Sequence, residues 1–121
     1  MDKLIFVVDD NDSNLTVLAG ILENDYKVLT MPSATKMFDL LKKKIPDLIL
    51  MDVEMPDING FTAIGMLREN EEWKSIPTIV VTGWVTDEIK QQAKELGVYG
   101  VVSKPFSIQE IKESVAQCMQ L

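Results

Sequence analysis

Three carboxylates stand directly after two short apolar runs. Asp9 and Asp10 follow the run at residues 4–8, and Asp52 follows the run at residues 48–51. Short, unbroken apolar runs are typical of strands that are buried on both faces of a parallel sheet. In such a sheet, the carboxyl ends of neighbouring strands open into one crevice. The spacing therefore predicts a cluster of hard oxygen ligands suited to Mg²⁺, in which repulsion without the metal raises at least one carboxyl pKa.

Two further apolar runs end in a hydroxyl and an amine. Thr82 follows residues 78–81, and Lys104 follows residues 100–103. An ammonium can pair with a phosphoryl oxygen as a point charge, and a threonine hydroxyl can donate a hydrogen bond to another oxygen. A carboxylate that attacks phosphorus approaches an anionic donor, so a cation is needed to offset the repulsion. With the acids, these residues predict phosphoryl transfer to a carboxylate, and Asp52, alone after its run, is the best nucleophile.

An alternation of strand and helix patterns, repeated five times, predicts the elements that hold these residues. A further strand is predicted at residues 27–31, and helical i, i+3, i+4 spacing recurs between the strands. The predicted apolar stripes contain Leu15, Leu18, Ala19 and Leu22; Ala34, Met37, Phe38 and Leu41; Gly60, Ala63, Ile64 and Leu67; and Ile108, Ile111, Val115 and Met119. Five βα units predict a single α/β domain over residues 1–121, with a five-stranded parallel sheet and five helices on its two faces.

Capping residues mark the predicted helix ends. The predicted N-caps are Asp12 or Ser13 for the first helix, Thr86 for the fourth and Ser107 for the fifth. Gly97 stands just past the predicted end of the fourth helix, where a left-handed C-terminal residue is common.

Composition excludes several classes of protein. A chain of 121 residues is long enough for one core, and its 46% hydrophobic content argues against disorder. The net charge of −7 opposes direct nucleic acid binding. The apolar stretches are too short to span a membrane, and the first residues do not have a signal-peptide pattern. The single cysteine, Cys118, falls on the predicted apolar stripe of the last helix. Because it cannot form an internal disulfide, we expect a reducing, cytoplasmic setting.

Along its whole length, the chain resembles the receiver domain of two-component response regulators. The matching motifs are the paired acids after the first run, the pattern D-x-x-M-P-x-x-x-G at residues 52–60, the hydroxyl and glycine at residues 82–83, and the K-P-F ending at residues 104–106. Each motif is weak alone, but together they occur in order, each at a predicted strand end. The resemblance implies the flavodoxin-like receiver fold, with its strands in the order 2-1-3-4-5.

The resemblance also implies a function. Asp52 is then the phosphoacceptor for a sensor histidine kinase or a histidine phosphotransfer protein, and Asp9, Asp10, Asp52 and the backbone carbonyl of Glu54 hold Mg²⁺. Such a chain is not an enzyme in its own right, because it promotes only its own phosphorylation and dephosphorylation. Phosphorylation is expected to shift the face formed by the fourth helix, fifth strand and fifth helix. The resemblance leaves open whether that face acts on an output domain, a downstream protein or a second copy in a homodimer, and whether the chain is complete.

Four positions bear on how the signal would be transmitted. Val101 stands three residues before the strand-five lysine, where the family generally has Tyr or Phe, and Tyr99 is two residues too early to replace it. Trp84 and Glu54 occupy positions that in the family flank the phosphoryl group and tune its removal by water. We therefore expect residues 83–85 and the start of the fourth helix to carry the change, with the indole and the carboxylate shielding the acyl phosphate.

Other interpretations share parts of this pattern. Either paired acid could cap a helix, Thr82 could be an ordinary strand residue, and Lys104 could be a surface charge. A haloacid-dehalogenase-type phosphatase also uses a strand-end aspartate, a threonine and a lysine, but it needs a second aspartate where this chain has Glu54. A flavodoxin-like flavin carrier must cradle a phosphate in its first loop, which the acidic residues 9–13 would repel without a metal.

Overall fold

The computed structural model describes residues 3–120, in which five parallel strands alternate with five helices. The strands are β1 (Leu4–Val8), β2 (Lys27–Met31), β3 (Leu48–Asp52), β4 (Thr78–Thr82) and β5 (Gly100–Ser103). The helices are α1 (Asp12–Leu22), α2 (Ala34–Leu41), α3 (Gly60–Arg68), α4 (Asp87–Glu95) and α5 (Ile108–Met119). The sheet order is β2-β1-β3-β4-β5. The predicted fold class and strand order are therefore confirmed.

Two apolar layers cover the two faces of the sheet. Successive side chains of a strand point to opposite faces. Ile5 and Val7 belong to the layer formed with α1 and α5, whereas Phe6 and Val8 belong to the layer formed with α2, α3 and α4. Because both faces are buried, the interior positions of β1, β3 and β4 are all apolar, as the unbroken runs predict. Within residues 3–120, no helix combines the length and apolar character needed to cross a membrane.

The predicted cap of α1 is wrong. The N-cap is Asn11, whose side-chain oxygen accepts a hydrogen bond from the N–H of Asn14 at 2.9 Å, and neither Asp12 nor Ser13 fills this role. The helix starts earlier because the carboxylate of Asp9 accepts the N–H of Asn11 at 2.9 Å and turns the chain there. The side chain of Asp9, the first residue after β1, thus sets the start of α1.

The other predicted helix ends are confirmed, but the predicted apolar stripe of α5 is wrong at one position. Thr86 and Ser107 cap α4 and α5, and Gly97 adopts a φ of 69° beyond the end of α4. Ile108, predicted on the buried stripe of α5, is instead 61% exposed. It is the first residue of the helix, one turn before Ile111, where burial begins.

Gly60 begins α3 where the backbone of β3 leaves no room for a side chain. A Cβ at this position would lie 2.9 Å from the Cα of Val53 and would collide with the carbonyl oxygen of Asp52. The N–H of Gly60 also donates to the carbonyl of Val53 at 2.9 Å. The absence of a side chain therefore lets α3 pack against the segment that carries Asp52.

We expect Gly60→Ala to lower the free energy of unfolding by roughly 1–3 kcal/mol, because the added methyl overpacks against backbone atoms that cannot yield. Gly65→Ala is the matched control in the same helix, since its added Cβ would find only Leu96 Cδ2 at 4.0 Å. That substitution should be neutral or stabilise by about 0.5–1 kcal/mol, through the higher helix propensity of alanine. Urea denaturation of both variants and the parent measures the difference. Equal unfolding midpoints for the two variants would contradict the close packing at Gly60.

Candidate functional site

Pairing between β1 and β3 places two of the predicted acids side by side. Val8 is in register with Met51, so Asp9 and Asp52 are the next residues on adjacent strands. The N–H of Asp9 donates to the carbonyl of Met31 at 3.2 Å, which continues the ladder one step past β1. Asp52 is the last residue of β3 and does not begin the following loop. The sheet itself thus fixes the backbone of both carboxylates.

The same ladder fixes Thr82 and Lys104 on the other side of β3. Asp52 is in register with Val81, so Thr82, the last residue of β4, lies one step further along. The N–H of Lys104 donates to the carbonyl of Thr82 at 2.8 Å. The Lys104–Pro105 peptide bond is cis. The predicted acids, hydroxyl and amine are therefore brought to one edge of the sheet.

Asp9, Asp10 and Asp52 form a carboxylate cluster whose oxygens lie within 4.8 Å of one another. Asp9 and Asp52 are only 1% and 2% exposed, whereas Asp10 is exposed. The Asp9 carboxylate accepts hydrogen bonds from the N–H of Asn11 at 2.9 Å and from the side-chain amide of Asn14 at 3.2 Å. Hard carboxylate oxygens that can share a cation with water are the ligands Mg²⁺ takes. The donor set fits such an ion.

Lys104 places its ammonium between two of these carboxylates. Its Nζ lies 2.9 Å from Oδ1 of Asp52 and 3.6 Å from Oδ2 of Asp9. Burial alone would lower the pKa of Lys104, but the hydrogen bond to Asp52 and the charges of Asp52, Asp9 and Glu54 raise it. The lysine is therefore a cation at neutral pH.

Burial is the largest cause that raises the pKa of Asp52 to about 6. The hydrogen bond and charge of Lys104 oppose this rise, while the charges of Asp9 and Glu54 add to it. The predicted rise of a carboxyl pKa is confirmed, although desolvation contributes more than repulsion among the acids. A poorly solvated carboxylate is also a more basic one, which suits a nucleophile.

The side chain of Glu54 has an arrangement that the sequence did not suggest. The hydroxyl of Thr82 donates to Oε2 of Glu54 at 2.7 Å, and the N–H of Gly83 donates to its Oε1 at 3.2 Å. The Thr82 hydroxyl oxygen in turn accepts the N–H of Trp84 at 3.1 Å. Glu54 is not among the three clustered carboxylates found within residues 3–120. The only signal was its position two residues after Asp52.

Comparison with known proteins shows the family of the chain. The sequence model of the response regulator receiver domain matches residues 5–116. The chain belongs to this family. It is 29% identical over 116 residues to the polar-differentiation response regulator DivK of Brucella ovis, covering 95% of this chain and 94% of that relative. The chemotaxis protein CheY4 of Vibrio cholerae has the same fold, with a TM-score of 0.92, 25% identity and coverage of 98% and 99% of the two chains.

A second similar structure, the BeF3-activated receiver domain of DrrB, has a TM-score of 0.89 and 23% identity, and both chains are fully covered. As a response regulator receiver domain, the protein is a component of two-component signal transduction.

The residues of this receiver domain that would transmit a signal differ in exposure. Val101 is half-buried against the layer of α2, α3 and α4. Tyr99 is 39% exposed, and its N–H donates to the carbonyl of Thr78, at the opposite end of β4 from Thr82. The two ends of β4 are four residue steps apart, a span of about 13 Å. Tyr99 thus does not occupy the place of the family aromatic, as predicted. Trp84, by contrast, is 70% exposed beside the site.

The pKa of Asp52 predicts a pH dependence of stability in the metal-free protein. Between its folded pKa of about 6 and the ordinary aspartate value near 4, the folded state binds a proton that the unfolded state does not. Asp52 therefore makes the free energy of unfolding rise as the pH falls from 7 to 5. We expect Asp52→Asn to lose this contribution. Urea denaturation of the parent and Asp52→Asn at pH 7, 6 and 5, in the presence of a chelator, measures this contribution as the difference between their free energies of unfolding. Identical pH profiles for the two proteins would show the assignment to be wrong.

Asp10 predicts a separable effect on metal binding. Asp10→Ala should lose most of the stabilisation that Mg²⁺ provides, because it removes one of the three carboxylates that could hold the ion. Without metal, its stability should be unchanged or up to about 1 kcal/mol higher, since an exposed like charge is removed. Asp12→Ala, which removes an exposed acid just outside the cluster, is the control and should keep the Mg²⁺ response. Thermal melts with and without Mg²⁺ test this; a destabilised Asp10→Ala protein with a full Mg²⁺ response would refute it.

Proposed function

We propose that this receiver domain accepts a phosphoryl group on Asp52 from the phosphohistidine of a sensor histidine kinase or a histidine phosphotransfer protein. A carboxylate oxygen of Asp52 forms the new P–O bond as the P–N bond of the phosphohistidine breaks, and the imidazole leaves with the electron pair of that bond. The position of Asp52 carries the proposal. It is a buried carboxylate at the end of the central strand, and the ammonium of Lys104 lies 2.9 Å away.

We assign the cation site to the carboxylates of Asp9, Asp10 and Asp52 together with the backbone carbonyl of Glu54. Mg²⁺ bound there would offset the negative charge of the donor and of the transferred group. The spacing of the three carboxylates, within 4.8 Å, supports this assignment. So does the charge balance, because Lys104 supplies a single positive charge against three acids. Hydrogen bonds from Asn11 and Asn14 hold the carboxylate of Asp9 in a fixed orientation.

Lys104 and Thr82 are assigned to the oxygens of the transferred group. The Lys104 ammonium, already on Asp52, pairs with one phosphoryl oxygen, and the Thr82 hydroxyl and the Gly83 N–H donate to another. Thr82 ends β4 and Lys104 directly follows β5, so both lie beside Asp52 across the β3–β4 pairing, which supports these roles. The domain thereby promotes its own phosphorylation and dephosphorylation and does not turn over a separate substrate.

The signal then passes through residues 83–85 to the face of α4, β5 and α5. The N–H of Trp84 donates a hydrogen bond to the Thr82 hydroxyl. Movement of this hydroxyl toward a phosphoryl group would therefore move the backbone of the loop as well. That face would then act on an output domain, a downstream protein or a second copy of the chain. The cytoplasm, where histidine kinases present their phosphohistidine, is the setting this role requires. The negative net charge of the domain opposes nucleic acid binding. Any action on DNA would therefore be exerted by another domain or protein.

Phosphorylation of Asp52 can be tested with a small donor. Incubation with acetyl phosphate and Mg²⁺ should add one phosphoryl group, detected by intact-mass spectrometry and mapped to Asp52 by peptide analysis. The addition should be lost with a chelator and in Asp52→Asn. Asp57→Asn, which alters an exposed acid in the same loop, is the control and should still be phosphorylated. Phosphorylation of Asp52→Asn at the parental rate would show that Asp52 is not the phosphoacceptor.

A further inference from the structure

Glu54 satisfies two donors at the end of β4 with the two oxygens of one carboxylate. Thr82 is fully buried, so its hydroxyl proton depends on a protein acceptor, which Oε2 of Glu54 provides at 2.7 Å. The N–H of Gly83 bonds to the second oxygen at 3.2 Å. The donors that the proposed function assigns to a phosphoryl group are therefore already occupied by an anion from the same chain.

The two anions resemble each other in the features that these donors recognise. A carboxylate and a phosphoryl group each present negatively charged oxygens in a rigid fork, and hydrogen bonds to a charged acceptor are stronger than neutral ones. Two anions cannot share the same pair of donors. A phosphoryl group on Asp52 that bonds to Thr82 and Gly83 must therefore displace the carboxylate of Glu54.

We propose that the Glu54 carboxylate is an internal stand-in for the phosphoryl oxygens, which holds the Thr82–Gly83 donors in the unphosphorylated protein and competes with phosphorylation of Asp52. This inference rests on the proposed phosphorylation of Asp52. In the unphosphorylated protein, Glu54 keeps the Thr82 hydroxyl and the Gly83 N–H oriented for an anion before the phosphoryl group arrives. The same contact opposes phosphorylation, since the carboxylate of Glu54 must leave before a phosphoryl group can bind these donors.

The surroundings of Glu54 allow this exchange. Its side chain is exposed, so a displaced carboxylate regains water without crossing a packed layer. The loop that carries one of the donors is exposed as well, and a Cβ added to Gly83 would meet no atom within 4 Å. On the donor side, the Trp84 N–H bond to Thr82 couples the exchange to the backbone of this loop. Displacement of Glu54 therefore changes the contacts of residues 83–85 directly.

Beryllofluoride, which occupies the phosphoryl position noncovalently, tests the competition without covalent chemistry. With saturating Mg²⁺, its binding is followed by the backbone amide resonances of ¹⁵N-labelled protein, and the Gly83 and Trp84 amides report the donors. Glu54→Gln should tighten beryllofluoride binding by on the order of tenfold, since a hydrogen-bonded anion no longer competes. In the absence of beryllofluoride, the same variant should shift the Gly83 and Trp84 amides.

Two further variants separate this competition from simple charge repulsion. Glu54→Asp keeps the charge but is too short to reach both donors, so it should also bind more tightly and shift the Gly83 amide. Glu72→Gln removes an equal charge from the α3–β4 connection and should leave both readouts at the parental values. Because Glu54 and Glu72 are exposed, these substitutions leave the core intact.

Each outcome decides the proposal. Equal affinities for the parent and Glu54→Gln would overturn the competition while leaving phosphorylation of Asp52 standing. Tighter binding by Glu54→Gln with parental behaviour of Glu54→Asp would also overturn it, because charge alone would then explain the gain. Failure of every variant to bind beryllofluoride or to be phosphorylated would overturn the proposed function, and this inference with it.

Discussion

Parallel pairing of β1 with β3 buries the carboxylates of Asp9 and Asp52 next to each other. The other groups of the site compensate the cost of that burial. Asp9 follows the last residue of β1, Asp52 is the last residue of the adjacent β3, and both are almost completely buried. Buried acids are costly unless they are paired and hydrogen-bonded, and removal of a partner from a buried pair costs about 3–5 kcal/mol. Lys104 supplies the charge, and Asn11 and Asn14 supply hydrogen bonds to Asp9. The β4–β5 register and the start of α1 matter to the site because they hold these compensating groups in place.

The site divides into an acidic half, which attracts cations, and a donor half, which attracts anions. Lys104 occupies the first half against Asp52, and Glu54 occupies the second against Thr82. Both halves are therefore paired internally, the acidic half by an ammonium and the donor half by a carboxylate. The partners are not equally fixed. Lys104 is held by the β4–β5 ladder and a buried carboxylate, whereas Glu54 lies in an exposed position from which it can return to water.

The sequence was enough to predict the fold because each level of the pattern agreed with the next. Unbroken apolar runs required burial on both faces, and helical stripes between them required a doubly covered parallel sheet. Local pattern could not select among neighbouring capping residues. Three adjacent residues could each cap α1, and the choice of Asn11 depends on the tertiary position of the Asp9 carboxylate. For the same reason, the partner of Glu54 could not be predicted, because Thr82 is 28 residues away and is brought near only by the β3–β4 pairing.

The absence of an aromatic residue at position 101 narrows the route by which this receiver domain can transmit a change. Val101 is packed against the core, and Tyr99 lies at the opposite end of β4 from Thr82. A side chain that swings inward beside the Thr82 hydroxyl is therefore unavailable on β5. The Trp84 N–H does contact that hydroxyl, and its indole is exposed to solvent. Under the proposed phosphorylation, a rearrangement of Thr82 would act on the backbone of residues 83–85 before it reached α4, and the exposed indole of Trp84 would lie nearest to that change.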